Sequence, residues 1–543
     1  MNPLFVRNGD AVSIAEIPNT SFADFLEQIL QANENGARIA TLFGQPIGSD
    51  KIRLFVTLAN DAEGQLALWS TEINESFPSL TPACAQAHWF EREIAEQWGV
   101  RPEGHPWLKP IRFHKSYRGS TSASDAAGRA SRPANKAAER SKSAESLCAS
   151  GVFREGAENG TRGARAPQNS VEPGVTNFFS MDGDEIHEVA VGPVHAGIIE
   201  PGHFRFQCHG EYVLHLEISL GYQHRGVERA LVGGPDKRAI PYVETLAGDT
   251  TIGHALAFCE AVESLAACKV PARAQVLRAI ALELERLANH TGDLGMLAND
   301  IGYLPTASYC GRIRGDFLNL TALICGNRFG RGLLRPGGNL FDLDEARQKQ
   351  LEERLTQARK DVTSAVELLW NSSSVRARFE NAGPVSRETA LELGLVGVAA
   401  RASGIEHDVR IQFPSGIYRF AQIPVSSYHT GSVFARAYVR WMEIQRSIAF
   451  ILDQLNALPS GPVRAEVGAL APGRAVVSLT EGWRGEICHT ALTNAAGRFA
   501  HYKIVDPSFH NWMGLAQAMR NQQISDFPLC NKSFNLSYCG HDL

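Results

Sequence analysis

The sequence predicts an α+β protein: a small N-terminal α/β domain, a flexible linker, and a large, mainly helical domain with small antiparallel sheets. Three observations lead there. Alternating apolar runs broken by turn residues crowd the first hundred or so positions. Apolar periodicity then disappears over 116–175, where Ser, Ala, Gly and Arg dominate, as in Arg118-Gly119-Ser120-Thr121-Ser122-Ala123-Ser124. Beyond it, long stretches with helical apolar spacing are flanked by short strand-rich pieces. The expected boundaries are 1–115, 116–175 and 176–543.

In the first domain, Ser21 is an N-cap candidate for a helix from Phe22 onward. Arg38–Phe43 and Ile52–Leu58 read as strands, and the Asn60–Gly64 turn fits a hairpin into Gln65–Trp69. A helix is expected from His88 to Trp98, ended by Gly99. The linker segment has too few apolar residues to offset the entropy of ordering it. The alternative is a basic arm that orders against an acidic partner. In the large domain, His203–Cys208 and Val213–Ile218 read as strands around a Gly210 turn. Helices are expected over Ala255–Leu265 and Ala272–His290, then near 307–325, 344–371, 386–394 and 432–457. A strand-rich piece near 463–505, a helix near 512–522 and an irregular tail complete the chain. Long central helices suit a helical-bundle core.

Composition narrows the function. The 543 residues are 44% hydrophobic and 20% charged, ordinary for a globular chain. A formal net charge of -5 argues against nucleic acid held by bulk electrostatics. No apolar run is long enough to span a bilayer, and no secretory signal is evident at the N-terminus. The 10 cysteines are scattered, with no Cys-x-x-Cys pair for zinc or an iron–sulfur cluster.

Two segments stand out: Leu246-Ala247-Gly248-Asp249-Thr250-Thr251-Ile252-Gly253-His254 and Asp506-Pro507-Ser508-Phe509-His510-Asn511. They resemble the metal-binding motifs of the [NiFe]-hydrogenase large subunit in membrane-bound, formate hydrogenlyase-type complexes. The related forty-nine-kilodalton-type subunit of respiratory complex I shares them in altered form. The hydrogenase motifs read Cys-Gly-x-Cys-Ser/Thr-x-x-His and Asp-Pro-Cys-x-x-Cys. Here Ala247, Thr250, Ser508 and Asn511 stand at the four cysteine positions. Soft thiolates hold nickel and iron, and these four side chains supply none. The resemblance extends to Leu220–Glu228, Glu283–His290, Arg335-Pro336-Gly337-Gly338 and Glu481–Glu486, where Trp483 replaces the usual Pro. Trp89-Phe90-Glu91-Arg92-Glu93 with Gly104-His105-Pro106 is similar to the signature of the thirty-kilodalton-type complex I subunit.

The resemblance implies a fusion of the thirty- and forty-nine-kilodalton-type subunits, peripheral on the cytoplasmic face of the inner membrane. Implied partners are an iron–sulfur small subunit of the twenty-kilodalton complex I type, a ferredoxin-like subunit, a membrane anchor and antiporter-like subunits. No cofactor is expected on this chain itself. Quinone is the candidate acceptor, with the iron–sulfur cluster in a neighbour. The expected site residues are His195 and His203 in the Gly192–His203 loop, Glu228, Asp249 and Arg335. His195 and His203 would meet a quinone head group, since imidazole donates a hydrogen bond and a proton. Glu228 matches the family's proton-relaying acid. Asp249 would help orient the acceptor, and Arg335 would face the neighbour's cluster. Each has a plainer alternative: loop hydrogen bonds for the histidines, a buried anchor for Glu228, a helix cap for Asp249, a surface ion pair for Arg335. Two functions stay open. One is acceptor reduction in a complex of the NADH:quinone oxidoreductase or hydrogenase-related kind, coupled to ion translocation. The other is a coupling scaffold without a substrate of its own. A working [NiFe] hydrogenase is not expected, nor is proteolytic removal of the tail after Asn511.

Overall fold

The computed structural model describes residues 2–48, 51–117, 176–195 and 199–543. The linker expected at 116–175 lies outside them, apart from its first two residues.

The N-terminal region runs β1 (Leu4–Val6), β2 (Ala11–Ser13), β3 (Asn19–Thr20), α1 (Phe22–Glu34), β4 (Arg38–Ile47), β5 (Lys51–Asn60) and β6 (Gln65–Ile73). β7 (Ser76–Pro78), α2 (His88–Trp98) and β8 (Arg101–Glu103) follow. The Ser21 hydroxyl accepts the Asp24 amide at 3.2 Å, capping α1 as its sequence suggests. The Asn60–Gly64 turn joins β5 to β6 in an antiparallel hairpin, and β1 and β4 flank that pair in the order β1-β6-β5-β4. Gly99, at φ 64, ends α2 in the left-handed region that glycine adopts without strain.

The division into two domains is crossed at β2. This strand leaves its own sheet and pairs with β14 (Arg474–Glu481), placing Val12 opposite Ala475. Asn8 secures the crossing. Its amide donates to the carbonyls of Phe413 and Leu479 at 2.7 and 2.9 Å and accepts the Leu479 amide at 2.7 Å.

The large region opens with β9 (Ile186–Val191), β10 (His203–His209) and β11 (Tyr212–Ser219), an antiparallel sheet in the order β11-β10-β9. Helices α3 (Val227–Leu231), α4 (Ala239–Val243), α5 (Thr251–Leu265), α6 (Ala272–Asp300) and α7 (Leu304–Cys325) follow. Then come the short β12 (Leu334–Arg335) and β13 (Gly338–Asn339), α8 (Glu345–Trp370), α9 (Ser373–Glu380), α10 (Arg387–Glu392), α11 (Gly397–Ala402), α12 (Val409–Gln412) and α13 (Val433–Asn456). The central bundle packs α6 against α7 and α13, with α8 behind α7. β14, β15 (Glu486–Thr493) and β16 (Phe499–Val505) form a meander, followed by α14 (Pro507–Ala518), α15 (Phe527–Phe534) and α16 (Tyr538–His541). Among the described residues no helix is long and apolar enough to cross a membrane.

Three expectations need correction. α6 runs on to Asp300 instead of stopping at His290, because no breaker intervenes. Gly292 and Gly295 are tolerated there because α7 crosses closely: a Cβ at Gly295 would lie 2.8 Å from the Cys310 Cβ. α14 begins at Pro507, not near 512, since Asp506 accepts the Ser508 amide at 2.8 Å and proline suits a first helical position. The tail is not irregular. α15 and α16 bury Phe527, Leu529, Phe534 and Tyr538 in the main core.

Candidate functional site

The Ala247–His254 segment leads into α5, and Asp506–Asn511 opens α14. A direct link ties the two. His254 Nε2 lies 3.0 Å from Asp506 Oδ2, and its Nδ1 lies 3.1 Å from His489 Nε2. Burial opposes the Asp506 charge, but His254, Arg484 and the Ser508 amide hold its carboxyl below the usual range. The α5 cap is not Asp249, the plainer reading of that residue. Glu285, on α6, accepts the amides of Ile252 and Gly253 at 2.7 and 3.2 Å. None of Asp249, Thr250 or Thr251 serves, because Thr250 turns its hydroxyl toward Asp249, Trp483 and Arg484. Burial and the nearby Asp249 push the Glu285 carboxyl up to about 8, against the pull of the two amides.

Ala247, Thr250, Ser508 and Asn511 are all buried. Their polar groups already bond to protein. Thr250 Oγ1 accepts from the Trp483 indole at 3.1 Å, Ser508 Oγ accepts the Ser537 amide at 2.8 Å, and the Asn511 amide brackets the backbone of Val396. A site without sulfur, with its oxygens engaged, does not fit nickel or iron. Among the described residues no group of three or more His, Cys, Asp or Glu side chains could hold a metal ion.

A salt bridge adjoins Thr250. Arg484 donates to both Asp249 oxygens, at 2.6 and 2.8 Å, and its Nε donates to the Asn535 carbonyl. Burial opposes the Asp249 charge, yet Arg484 holds its carboxyl below the ordinary range. The unusual Trp483 now has a reason. Its ring lies 3.9 Å beneath the Arg484 guanidinium, and its N–H donates to the Asp249 carbonyl and Thr250 Oγ1.

Asp249 and Arg484 form part of the wall of an open cavity of about 810 Å³. Gly292 and Met296 of α6, Ala307 and Arg314 of α7, and Asn535 to Cys539 of the tail contribute more of it. The wall combines apolar surface from Met296, Leu304 and Phe329 with the charged side chains of Glu200, Asp249, Asp293, Arg314, Arg484 and Lys532. His195 reaches it indirectly: its Nε2 lies 3.2 Å from the hydroxyl of Tyr538, which lines the cavity.

The other expected residues lie off this wall. His203 is buried in β10 and accepts from Arg205 Nε at 3.3 Å. Burial and Arg205 lower its affinity for a proton. Arg335 donates to Glu244 at 3.0 Å in a partly exposed ion pair. Glu228 lies between the two regions of the chain. It accepts Lys503 Nζ at 2.9 Å and the Ile504 amide at 2.8 Å. Lys503 also donates to Glu93 of α2 at 2.6 Å, and Glu93 pairs with Arg112. Burial opposes the Glu228 charge, while Lys503 and Arg112 hold its carboxyl below the usual range. Glu283, Arg286 and His290 join a second buried network: Glu283 pairs with Arg286 and Arg410, and Glu443 accepts from Arg286, His290 and Arg401. Sequence reasoning missed Arg484, Glu285 and Lys503 as contributors. Arg484 and Glu285 carried a local signal, their places in the Glu481–Glu486 and Glu283–His290 runs, and Lys503 carried none.

Comparison with known proteins bears on this arrangement. The family model for the respiratory-chain NADH dehydrogenase 30 Kd subunit matches residues 18–128, and that for the 49 Kd subunit matches 300–474. The carbon monoxide-induced hydrogenase of Rhodospirillum rubrum is 30% identical over 350 residues, which is 64% of this chain and 97% of that protein. The chain belongs to this complex I and hydrogenase large-subunit family. The D subunit of the NADH-quinone oxidoreductase of Clostridium beijerinckii is 30% identical over 59% of the chain and 87% of its own length. Formate hydrogenlyase subunit 5 of Escherichia coli spans both regions, at 27% identity over 85% of the chain and 76% of its own length. As a member, the chain is a fused 30 kDa-type and 49 kDa-type subunit of complex I-like or hydrogenase-related membrane complexes. It departs from the metal-binding pattern at Ala247, Thr250, Ser508 and Asn511.

Proposed function

We propose that the cavity walled in part by Asp249 and Arg484 binds a quinone or another electron acceptor, reduced by electrons from an iron–sulfur cluster in a neighbouring subunit. The observation that carries this reading is the Asp249–Arg484 pair on the wall of an open space that also has apolar surface. Arg484 is a fixed cation. It would stabilise negative charge as it develops on an acceptor oxygen, at no cost of reorientation. Asp249 and the Trp483 ring hold it in place. His195, through Tyr538, would order the loop at the cavity edge. Placement on the cytoplasmic side of the inner membrane, beside an iron–sulfur small subunit, a ferredoxin-like subunit and membrane subunits, belongs to the same proposal. So does coupling of the redox step to ion translocation.

The test is to purify the chain with its natural partners and measure quinone-dependent oxidation of reduced iron–sulfur clusters, alongside acceptor binding. Wild-type complex should reduce an acceptor, and Arg484→Gln should lower the rate at saturating acceptor by about 10²-fold, as for loss of one donor to a developing oxyanion. Intact complexes that neither bind nor reduce an acceptor would leave a coupling scaffold as the function.

A further inference from the structure

Resting on the reading of the cavity as an acceptor site, we infer that its ligand carries an anionic group, a carboxylate or phosphate, seated on Arg314. Three cations line the cavity: Arg484, Arg314 and Lys532. Arg484 is already paired with Asp249. Arg314 makes no hydrogen bond or ion pair among the described residues. The contrast with its neighbour on α7 is sharp, for Arg312 donates to Asp316 at 2.7 Å and to Asp361 at 2.6 Å.

Arg314 is also seated, not loose. Its stem crosses α6 at Gly292, where a Cβ would lie 2.7 Å from Arg314 Cδ and 3.0 Å from its Nε. The helix is glycine at the point where this half-buried side chain needs room. The acids on the wall are engaged elsewhere. Asp249 is held by Arg484. Asp293 lies 2.7 Å from Arg440 and accepts from Asn535. Glu200 accepts the Cys539 amide at 3.1 Å. Lys532 likewise makes no hydrogen bond or ion pair among the described residues, and the charge it acts on is that of Asp300, at the end of α6.

A half-buried guanidinium without a counter-ion is poorly compensated, and its planar fork suits an oxyanion. Met296, Leu304 and Phe329 supply an apolar surface on the same wall for the body of the ligand. The combination favours an amphipathic anion over a neutral ring.

The experiment titrates the full chain with 2-naphthoate, 2-naphthyl phosphate and neutral 2-methylnaphthalene, followed by calorimetry or fluorescence. Either acid should bind at least about ten-fold more tightly than the neutral probe, the scale of one charge-assisted bond. Arg314→Gln should abolish that preference while leaving the neutral probe unchanged. Gly292→Val, which displaces the arginine without removing its charge, should lower that preference as well, and Arg312→Gln should not. Circular dichroism verifies that each variant is folded. Equal binding of acids and neutral probe, or a preference that survives Arg314→Gln, overturns the anionic subsite while leaving the acceptor cavity standing. Failure of all three probes to bind overturns the acceptor cavity itself.

Discussion

Asp249 and Arg484, 235 residues apart in the chain, meet in a two-bond salt bridge beside the Thr250 hydroxyl, which both touch. The Arg484 side chain is 5% exposed and that of Asp249 is 35% exposed. Removing the cation therefore leaves an acid that water can still reach. Arg484→Gln should cost about 2 kcal/mol, below the roughly 3–5 kcal/mol of a fully buried pair. Asp249→Asn combined with it should cost less than the sum of the two single changes. Denaturant unfolding of all three variants measures this, and strict additivity would show that the pair is not coupled.

Asn8 clamps the N-terminal segment onto β14 through three buried hydrogen bonds. Asn8→Ala strands two carbonyls and an amide at the junction of the two regions. A loss of about 2–4 kcal/mol is expected, with faster proteolysis of the first dozen residues. Melting scans and limited proteolysis check it, and a change under about 1 kcal/mol would mean the crossing strand does not depend on the clamp.

Lys503 bridges Glu93 and Glu228 inside the protein. Despite burial, Lys503 and Arg112 hold the folded-state pKa of Glu228 below its ordinary 4.5. A depressed acid stabilises the fold above its unfolded pKa, and that contribution is lost as pH falls through the folded value. Lys503→Met should thus destabilise strongly at pH 7, by about 3–5 kcal/mol. The gap from wild type should narrow below pH 4.5, as the carboxyl takes up a proton. Urea midpoints across that range would show it, and a gap independent of pH would rule the mechanism out.

His407 behaves in the opposite sense. Burial and Arg38 oppose its protonation, yet Asp61 and Glu486 raise its pKa from 6.5 to about 9. Its ring nitrogens lie 3.2 Å from Asp61 and 3.5 Å from Glu486, and Arg38 pairs with both acids. A raised base contributes fully below its unfolded pKa and loses that contribution as pH rises through the folded one. Wild-type stability should fall by on the order of 2–3 kcal/mol between pH 6.5 and 9. His407→Gln should flatten that slope. An unchanged slope in the variant would assign it to another group.

Much of the fold is legible in the linear chain. The N-cap at Ser21, the β5–β6 hairpin and the span of α2 are set by residues a few positions apart, so their signals are local. The absence of thiolates at Ala247, Thr250, Ser508 and Asn511 is a matter of composition and needed no structure. What the sequence hid depends on partners far away. The α5 cap is Glu285, from the next helix, because Thr250 is occupied by Trp483 and Arg484. Glu228 meets a lysine of β16, and β2 completes a sheet whose other strands lie more than four hundred residues later.

The cavity belongs to the same class. Its walls come from α6, α7, the turn before α5 and the tail, and each segment read alone is an ordinary helix or loop. Local sequence determined which elements form and that Ala247, Thr250, Ser508 and Asn511 offer no thiolate. Tertiary packing decided where space was left, and which charges on its wall found partners, because both are set by distances between segments that no local pattern encodes.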